Sequence, residues 1–380
     1  MNDTPEVKVA AFPSSGFYRL NTFVLFMMAW GALVVPPILA QPPKLLDVEV
    51  PGGHYVGLPI HWSKYDAVVL EPTGQLHIID QSQVQNHQLL SLEFSPQTLV
   101  DARNQLQAEL GTGYETVVFG PYVIGAPRGQ TERWRERFSA LLSGYLRYFE
   151  VRGWPLRRPD FPLCVTVFAT RQEFLAYSAA QVQQLPSSIV GSYFPRSNRC
   201  VLYNIEGINR EGGLATNWTE TEATIVHEAV HQLAYNTGIH QRLSMDPLWF
   251  VEGLASMFEQ PNVYDLRQQQ STIESRMLPA KRQRLQPLLK QPEVLVRQLQ
   301  SLIVADDLFN QEPDLAYDLG WALTFYLSER KPSEFRQYTS LLAARPFGDY
   351  TAFERSRDFR QVFGGDLSLL AVQIIRLLLQ

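Results

Sequence analysis

The sequence predicts an α+β protein in which a small mixed sheet precedes a largely helical second half. Three observations support this fold class. Short apolar runs bounded by turn residues recur up to about residue 206, whereas apolar residues recur at helical spacing from residue 218 onward. In addition, 45% of the 380 residues are hydrophobic, so the chain can bury a sizeable core as one large or two medium domains.

An export signal is predicted at residues 1–40. Lys8 and Arg19 precede an apolar run at residues 23–35, and two prolines and the small residue Ala40 follow it. This order is typical of a secretory signal peptide. The run is shorter than the roughly 20 residues that span a bilayer, although an uncleaved N-terminal anchor is the alternative. Both interpretations place the remaining chain in the periplasm or outside a bacterial cell.

A β-rich module is predicted at residues 41–115. The strand-like runs HYVGLPIHW, DAVVLEP and QLHIID are separated by turn signals. One helix is expected to follow them, with Ser95 as its N-cap and Pro96 as its first residue. The main domain is expected at residues 116–380, and the stretch ETVVFGPYVIGAP predicts a strand near the boundary.

The first part of the main domain is predicted to alternate helices and strands. Large apolar residues at helical spacing predict a long amphipathic helix at residues 131–150. The strand LCVTVFAT and the helix RQEFLAYSAAQV follow, and then SSIVGSYF and RCVLYNIE form a hairpin through the turn PRSN. The two cysteines, Cys164 and Cys200, lie in these strands, and a disulfide and two buried thiols are both open interpretations.

The stretch IVHEAVHQLAYNTG, residues 225–238, places two histidines and a glutamate in a segment that otherwise predicts a buried helix. Apolar residues surround nearly the whole segment, and Gly238 is a typical stop residue. His227 and His231 are four positions apart, so they share one helix face and can bind one ion. Glu228 lies one step around the helix, where a general base would act beside that ion.

Zinc is the ion that this pattern favours. It accepts neutral imidazole nitrogens at about 2.0–2.1 Å and prefers four ligands. Two histidines and a carboxylate without partners in a core would cost several kcal/mol, and metal binding, on the order of 10 kcal/mol, offsets that cost. Since the chain has no CxxC pair, a cysteine-based zinc site is excluded. We therefore expect one Zn²⁺ per chain.

A third protein ligand is predicted in DPLWFVEGLASMFEQP. Asp246 and Pro247 predict a helix start. Glu252 then falls within the apolar stripe of that helix, and a carboxylate on a core face requires a partner. Gly253 indicates close approach to another element, for which the histidine helix is the expected neighbour.

The other candidate ligands are weaker. His240 lies just past the end of the histidine helix, too near in sequence to return easily to the metal. Glu259 shares the face of Glu252 two turns on, and we expect it outside the ligand set or at the surface. A metzincin-type motif would need glycine and histidine where the chain has Ala234 and Thr237, so that class is excluded.

Together, HEAVHQLAYNTG, PLWFVEGLASMFE and YDLGWALTFYL resemble the peptidase MA-like zinc proteins of the gluzincin group, in particular bacterial exported proteins of the DUF1570-like type. The resemblance covers about residues 116–380. It implies a zincin-like metallopeptidase domain. In that domain His227, His231 and Glu252 would bind zinc, and Glu228 would be the general base.

The resemblance also implies a catalytic role for Tyr317. Gluzincin aminopeptidases have a tyrosine downstream of the third ligand, and its hydroxyl stabilises the oxyanion. Packing is the alternative, because Trp321 and Phe325 continue the same helix face. The chain departs from the aminopeptidases in lacking a GxMEN-type motif before HExxH, so a requirement for a free substrate N-terminus is not implied.

The predicted function is hydrolysis of peptide bonds in a peptide or protein substrate. The hairpin at residues 192–203 can offer an edge strand to an extended peptide. The alternative is a non-catalytic binding or scaffold protein of the cell envelope that retains the metal helix. Because structural zinc usually has four protein ligands and the sequence offers three, an open catalytic site is favoured. A serine or cysteine hydrolase is not indicated, since no GxSxG motif is present.

Charge argues against a nucleic-acid partner, since the formal net charge is -5. The chain nevertheless contains one cluster of basic residues, and we interpret it as an ordinary solvated segment. Its members are Arg276, Lys281, Arg282, Arg284, Lys290 and Arg297. Contact with a membrane is expected only through an uncleaved N-terminal segment, and the pattern predicts no particular oligomeric state.

Overall fold

The computed structural model describes residues 44–181, 190–204, 218–243, 245–265 and 272–379. The predicted export signal lies outside these residues. Within these residues, two five-stranded sheets precede a series of helices that begins at residue 218, so the molecule is a mixed α+β protein with a helical C-terminal half. This general class is the one that the sequence predicts.

The first sheet is antiparallel, with strand order β4-β3-β2-β1-β5. Its strands are β1 (Lys44–Val50), β2 (Gly53–Trp62), β3 (Asp66–Leu70), β4 (Leu76–Asp80) and β5 (Asn86–Glu93). One face buries a small apolar cluster of its own, formed by Leu46, Val48, Ala67, Val69 and Ile79. Strands β4 and β5 are the two edges in the described part of the chain.

The second sheet is mixed, with strand order β6-β7-β8-β10-β9. Its central strand β8 runs parallel to both neighbours, whereas the two outer pairs are antiparallel. The elements of this region are α1 (Leu99–Leu110), β6 (Tyr114–Phe119), β7 (Tyr122–Pro127), α2 (Thr131–Glu150), β8 (Leu163–Phe168), α3 (Arg171–Ala179), β9 (Gly191–Phe194) and β10 (Arg199–Tyr203). The predicted helix at residues 131–150 and the predicted hairpin are both confirmed.

Two local predictions in this region are wrong. Helix α1 begins at Leu99 and not at Pro96, because the hydroxyl of Thr98 accepts the Asp101 N–H and serves as the N-cap. The stretch ETVVFGPYVIGAP forms two strands, since the chain turns at Gly120, where φ is +51°. Helix α1 packs on these strands, so it belongs with the second sheet.

The helical half packs its apolar faces into one core with the second sheet. Five of its helices begin with a proline, which suits a first turn because the missing N–H has no partner there. The helices are α4 (Trp218–Thr237), α5 (Leu248–Phe258), α6 (Pro261–Tyr264), α7 (Pro279–Leu289), α8 (Pro292–Val304), α9 (Leu308–Gln311), α10 (Pro313–Arg330), α11 (Pro332–Ala343), α12 (Ala352–Phe363) and α13 (Leu367–Leu378).

Helix α4 is central to this core. Every residue from 225 to 234 is buried, as the apolar circumference of the segment predicts. The helix ends at Gly238, where φ is +89°, and the N–H groups of Ile239 and His240 both donate to the Ala234 carbonyl at 3.1 Å. Helix α4 therefore carries its polar residues through the centre of the molecule.

The first N–H of helix α5 is bound by a distant side chain. The Leu248 N–H donates to Asp306 Oδ1 at 3.0 Å, and Arg355 holds the Asp306 carboxylate through two bonds of 2.8 and 2.7 Å. Pro247 is the N-cap, so the prediction that Asp246 begins this helix is wrong by one residue. The start of α5 is therefore anchored to the surrounding helices.

The two cysteines lie on opposite faces of the second sheet. Cys200 is paired with Val165 across the parallel strands β10 and β8, whereas Cys164 is paired with Arg199. Neighbouring positions of a strand alternate faces, so the two sulfurs point away from each other. Both cysteines are free thiols.

No single helix in the described residues is both long and apolar enough to cross a membrane. The pair α12 and α13 meets the length and composition criteria only when the two are taken together, and they are bent by 64° where they join.

Helices α5 and α10 touch through their backbones. A Cβ atom at Gly253 would lie 2.3 Å from both the Gly320 carbonyl oxygen and Thr324 Oγ1. Thr324 Oγ1 also donates to the Trp249 carbonyl at 3.2 Å. The close approach predicted for Gly253 is present, but the element that it approaches is α10 and not the histidine helix.

We expect Gly253→Ala to lower the free energy of unfolding by about 1–3 kcal/mol, because the added methyl has no room between the two backbones. This cost exceeds the gain of about 1 kcal/mol that alanine brings to a helix. Urea denaturation measures the difference. Gly113→Ala is the control, since a Cβ there meets nothing within 4 Å; an equal effect of both substitutions would contradict the packing argument.

Candidate metal site

The three predicted ligands lie together in the core. His227 and His231 extend from α4, and Glu252 extends from α5. Glu252 Oε2 is 3.1 Å from His227 Nε2 and 3.5 Å from His231 Nε2. All three side chains are buried, and one donor atom from each lies within 4.8 Å of the others. In the described part of the chain, they form the one group of three histidine, cysteine or acidic residues with such spacing.

The spacing fits a tetrahedral zinc ion. Donor atoms bonded to zinc at about 2.0–2.1 Å are about 3.3–3.4 Å apart in a regular tetrahedron. The two nitrogen–oxygen distances at Glu252, 3.1 and 3.5 Å, lie on either side of that value. The His231 distance is longer than a good hydrogen bond, so this buried nitrogen lacks a full partner among the described residues. These residues therefore fit zinc in donor type and number, and in the spacing of both histidines from Glu252.

Glu259 orients the first histidine. Its Oε1 accepts a hydrogen bond from His227 Nδ1 at 2.8 Å, which leaves His227 Nε2 facing Glu252. Histidines that bind metals commonly donate their second ring nitrogen to a carboxylate in this way, and the contact fixes the tautomer. Glu259 thus contacts a predicted ligand and lies outside the ligand group.

The cluster is held by charge. Burial opposes protonation of His227, but its contacts with Glu252 and Glu259 outweigh burial and raise its pKa to about 10. Burial likewise favours a neutral Glu252, but the neighbouring charges of His231 and His227 hold its pKa well below the ordinary value. The pKa of Glu259 is also lowered, so both carboxylates are anionic, and a divalent cation can replace the proton of His227.

Glu228 lies next to the ligand group and contacts the second sheet. Its Oε2 accepts the backbone N–H of Tyr193 at 2.8 Å, and its side chain is buried. Burial raises the pKa of Glu228, and the nearby His227 and His231 oppose that rise. A buried carboxylate with a raised pKa beside two imidazoles is suited to accept and return a proton.

Strand β9 brings the sheet edge to this carboxylate. Tyr193 lies in β9, which pairs with β10 on one side and is an edge of the sheet in the described part of the chain. The sequence predicts this hairpin and the histidine helix separately. No local pattern relates an unpaired backbone N–H to a distant glutamate, so the contact between Tyr193 and Glu228 could not be predicted.

Tyr317 faces the same cluster from α10. Burial raises its pKa well above the ordinary value, and the negative charge of nearby Glu252 adds to the rise. The phenol therefore stays protonated and can donate a hydrogen bond. Its ring also packs edge-on against Phe309 at 5.3 Å between centroids, so the packing interpretation also has support.

His240 does not join the ligand group. It is buried 3.5 Å from Asp246, and its ring packs edge-on against Phe250 at 4.8 Å between centroids. Burial lowers the pKa of His240, so the ring is neutral. Its exclusion from the ligand group follows the sequence prediction.

The prediction that the basic cluster is solvated is partly wrong. Lys281 and Arg284 both contact the buried carboxylate of Asp318, at 3.6 and 2.6 Å. Lys281 also affects the candidate metal site, because its charge, with the contact of His227, outweighs burial and lowers the pKa of Glu259. The sequence signal for this role is faint, since Lys281 is about 20 residues from the nearest site residue along the chain.

The comparisons with known proteins match part of the chain. The model of a family described as "Protein of unknown function (DUF1570)" matches residues 221–347. That stretch, about one third of the chain, contains His227, Glu228, His231, Glu252 and Tyr317. A search of curated proteins found no match. The matched family supports the DUF1570 part of the resemblance.

We expect Glu259→Gln to weaken zinc binding by about 10–100-fold, because the His227 ring loses its anionic hydrogen-bond acceptor. His227→Ala should abolish stoichiometric binding. Competition with a chromophoric chelator measures affinity, and metal analysis of the purified protein gives the stoichiometry. Glu293→Gln, on the exposed side of α8, is the control. If both Glu259→Gln and His227→Ala bound zinc with wild-type affinity, the prediction that zinc binds at this cluster would be wrong.

Proposed function

We propose that this chain is a zinc-dependent peptidase of the gluzincin type with a zincin-like domain. The observation that carries the proposal is that donor atoms of His227, His231 and Glu252 lie within 4.8 Å of one another, with Glu228 beside them. Three protein ligands leave a coordination position for substrate or water, as in catalytic zinc sites. The family match at residues 221–347 agrees with the extent of these motifs but names no activity.

The proposed reaction is the hydrolysis of a peptide bond. A zinc ion held by these three groups supplies Lewis-acid chemistry, which polarises a carbonyl and makes water more acidic. Glu228 accepts a proton as water adds to the carbonyl carbon, and it returns that proton to the amine as the C–N bond breaks. Tyr317 donates a hydrogen bond to the developing oxyanion.

The substrate is proposed to be an extended peptide or protein segment. Strand β9 is an edge of the sheet in the described part of the chain, and its residue Tyr193 contacts Glu228, so an extended peptide that pairs with this edge would lie beside the site. The N-terminal pattern at residues 1–40 supports export to the periplasm or the extracellular space, with membrane contact only through an uncleaved N-terminus. The alternative is a non-catalytic scaffold protein, which would bind the metal ion without hydrolysing peptides.

We expect Glu228→Gln to abolish hydrolysis while zinc stays bound, because the amide keeps the size of the side chain and cannot accept the proton. Casein and quenched fluorescent peptides with zinc-loaded protein provide the assay, with zinc stoichiometry measured on the same sample. Glu222→Gln, two turns earlier on α4, is the control. Retained hydrolysis in Glu228→Gln would exclude Glu228 as the base, and no hydrolysis by the wild type would favour the scaffold alternative.

Tyr317→Phe separates catalysis from packing. The ring and its contact with Phe309 are retained, so thermal stability and zinc content should not change, whereas kcat should fall by about 10²–10³-fold if the hydroxyl donates to the oxyanion. Tyr326→Phe, on the same helix, is the matched control, since its hydroxyl bonds Gln373. An unchanged kcat in Tyr317→Phe would assign Tyr317 to packing alone.

A further inference from the structure

We propose that Arg242 and the first sheet act together as a positioning device that holds the edge strand β9 at Glu228. The inference rests on the proposed function in one respect, namely that β9 is the edge to which a peptide substrate binds. Its structural content, the coupling of the first sheet to β9, stands independently of catalysis. Arg242 is a positioning residue here, because it acts on the site only through β9.

Arg242 binds backbone carbonyls from two separate parts of the chain. Its Nε donates to the Pro195 carbonyl at 2.7 Å, and its Nη2 donates to the Gly74 and Arg196 carbonyls at 2.6 and 2.9 Å. Gly74 lies in the turn between β3 and β4, whereas Pro195 and Arg196 form the turn between β9 and β10. One guanidinium therefore joins the two sheets.

The first sheet also reaches the hairpin turn directly. The Leu76 N–H, at the start of β4, donates to the Arg196 carbonyl at 2.7 Å. Gly74 adopts a φ of +85°, and a Cβ there would lie 3.3 Å from the Phe161 ring and 3.5 Å from Asn198 Nδ2. The turn between β3 and β4 is thus closely fitted against the turn between β9 and β10.

The other side of the hairpin turn is held by helix α4. Asn198, with a φ of 58°, exchanges side-chain hydrogen bonds with Asn236 at 2.9 and 2.7 Å. The Asn198 backbone carbonyl accepts Gln232 Nε2 at 3.0 Å, and its Oδ1 accepts the Tyr193 hydroxyl at 2.9 Å. Helix α4 also carries the candidate metal ligands, so the turn is fixed relative to them.

These contacts matter because β9 is short. The strand has four residues, and in the described part of the chain it pairs only with β10. Its position at Glu228 therefore depends on the turn that follows it, and that turn is held between α4 and the first sheet. Loss of the Arg242 bonds frees one side of the turn and lets the Tyr193 N–H move away from Glu228.

Amide hydrogen exchange on the full chain tests this coupling without a substrate. Arg242→Ala should increase exchange in the peptide covering β9 by about tenfold or more, since bonds from a charged donor to three carbonyls are lost. Arg242→Lys keeps the charge and should restore much of the protection. Arg128→Ala, an exposed arginine whose Nε donates to the Thr112 carbonyl, is the matched control and should leave β9 unchanged.

Gly74→Ala is the second variant and keeps the proposal testable if Arg242→Ala does not fold. Its methyl strains the turn between β3 and β4, so this turn should hold the β9–β10 turn less firmly. Amide hydrogen exchange in β9 should therefore increase without any change at Arg242. Unchanged β9 protection in both variants would overturn the proposal. An equal rise in β7, which neither Arg242 nor Gly74 touches, would also overturn it, because that result indicates general destabilisation.

Hydrolysis then separates this inference from the proposed function. If the wild type hydrolyses peptides, Arg242→Ala should raise KM for extended peptides by about tenfold at unchanged zinc content, and Arg242→Lys should recover it. An unchanged KM together with increased β9 exchange would overturn the positioning role. Failure of the proposed function is detected independently, by loss of zinc binding or of hydrolysis in the wild type.

Discussion

Two imidazoles and a carboxylate meet inside the core, and the surrounding structure depends on that meeting. A buried polar group without a partner costs free energy, so His227, His231 and Glu252 require one another or a shared ion. Helix α4 is buried along its central turns, and α5 lies against it with the carboxylate on the facing side. Glu259 and Lys281 extend the alternation of charge outward, which keeps each buried charge beside an opposite one.

Much of this site could be predicted from the sequence because its signals are local. The spacing of His227 and His231 depends only on the pitch of one helix, and Glu252 is conspicuous as a carboxylate within an apolar stripe. The fold class follows from the change between strand-like runs and helical spacing near residue 218. The helix at residues 131–150 is confirmed to the residue, since its apolar stripe is uninterrupted.

The parts that could not be predicted involve contacts between distant segments. Gly253 signals a close approach without naming its partner, and the partner is α10. The start of α5 is bound by Asp306, which lies far along the chain, so the local preference of Asp246 for an N-cap does not decide it. The sequence predicts a solvated basic cluster because Asp318, whose buried carboxylate binds Arg284, lies 34 residues further along the chain.

The backbone contact between α5 and α10 has a mechanical consequence. Side chains absorb small displacements by changing rotamer, but two backbones in direct contact have no such freedom. Thr324 also contacts Trp249, and Ser328 contacts Met257, so the two helices are joined on both sides of Gly253. Tyr317 on α10 and Glu252 on α5 therefore keep a fixed separation, because neither helix can slide past the other.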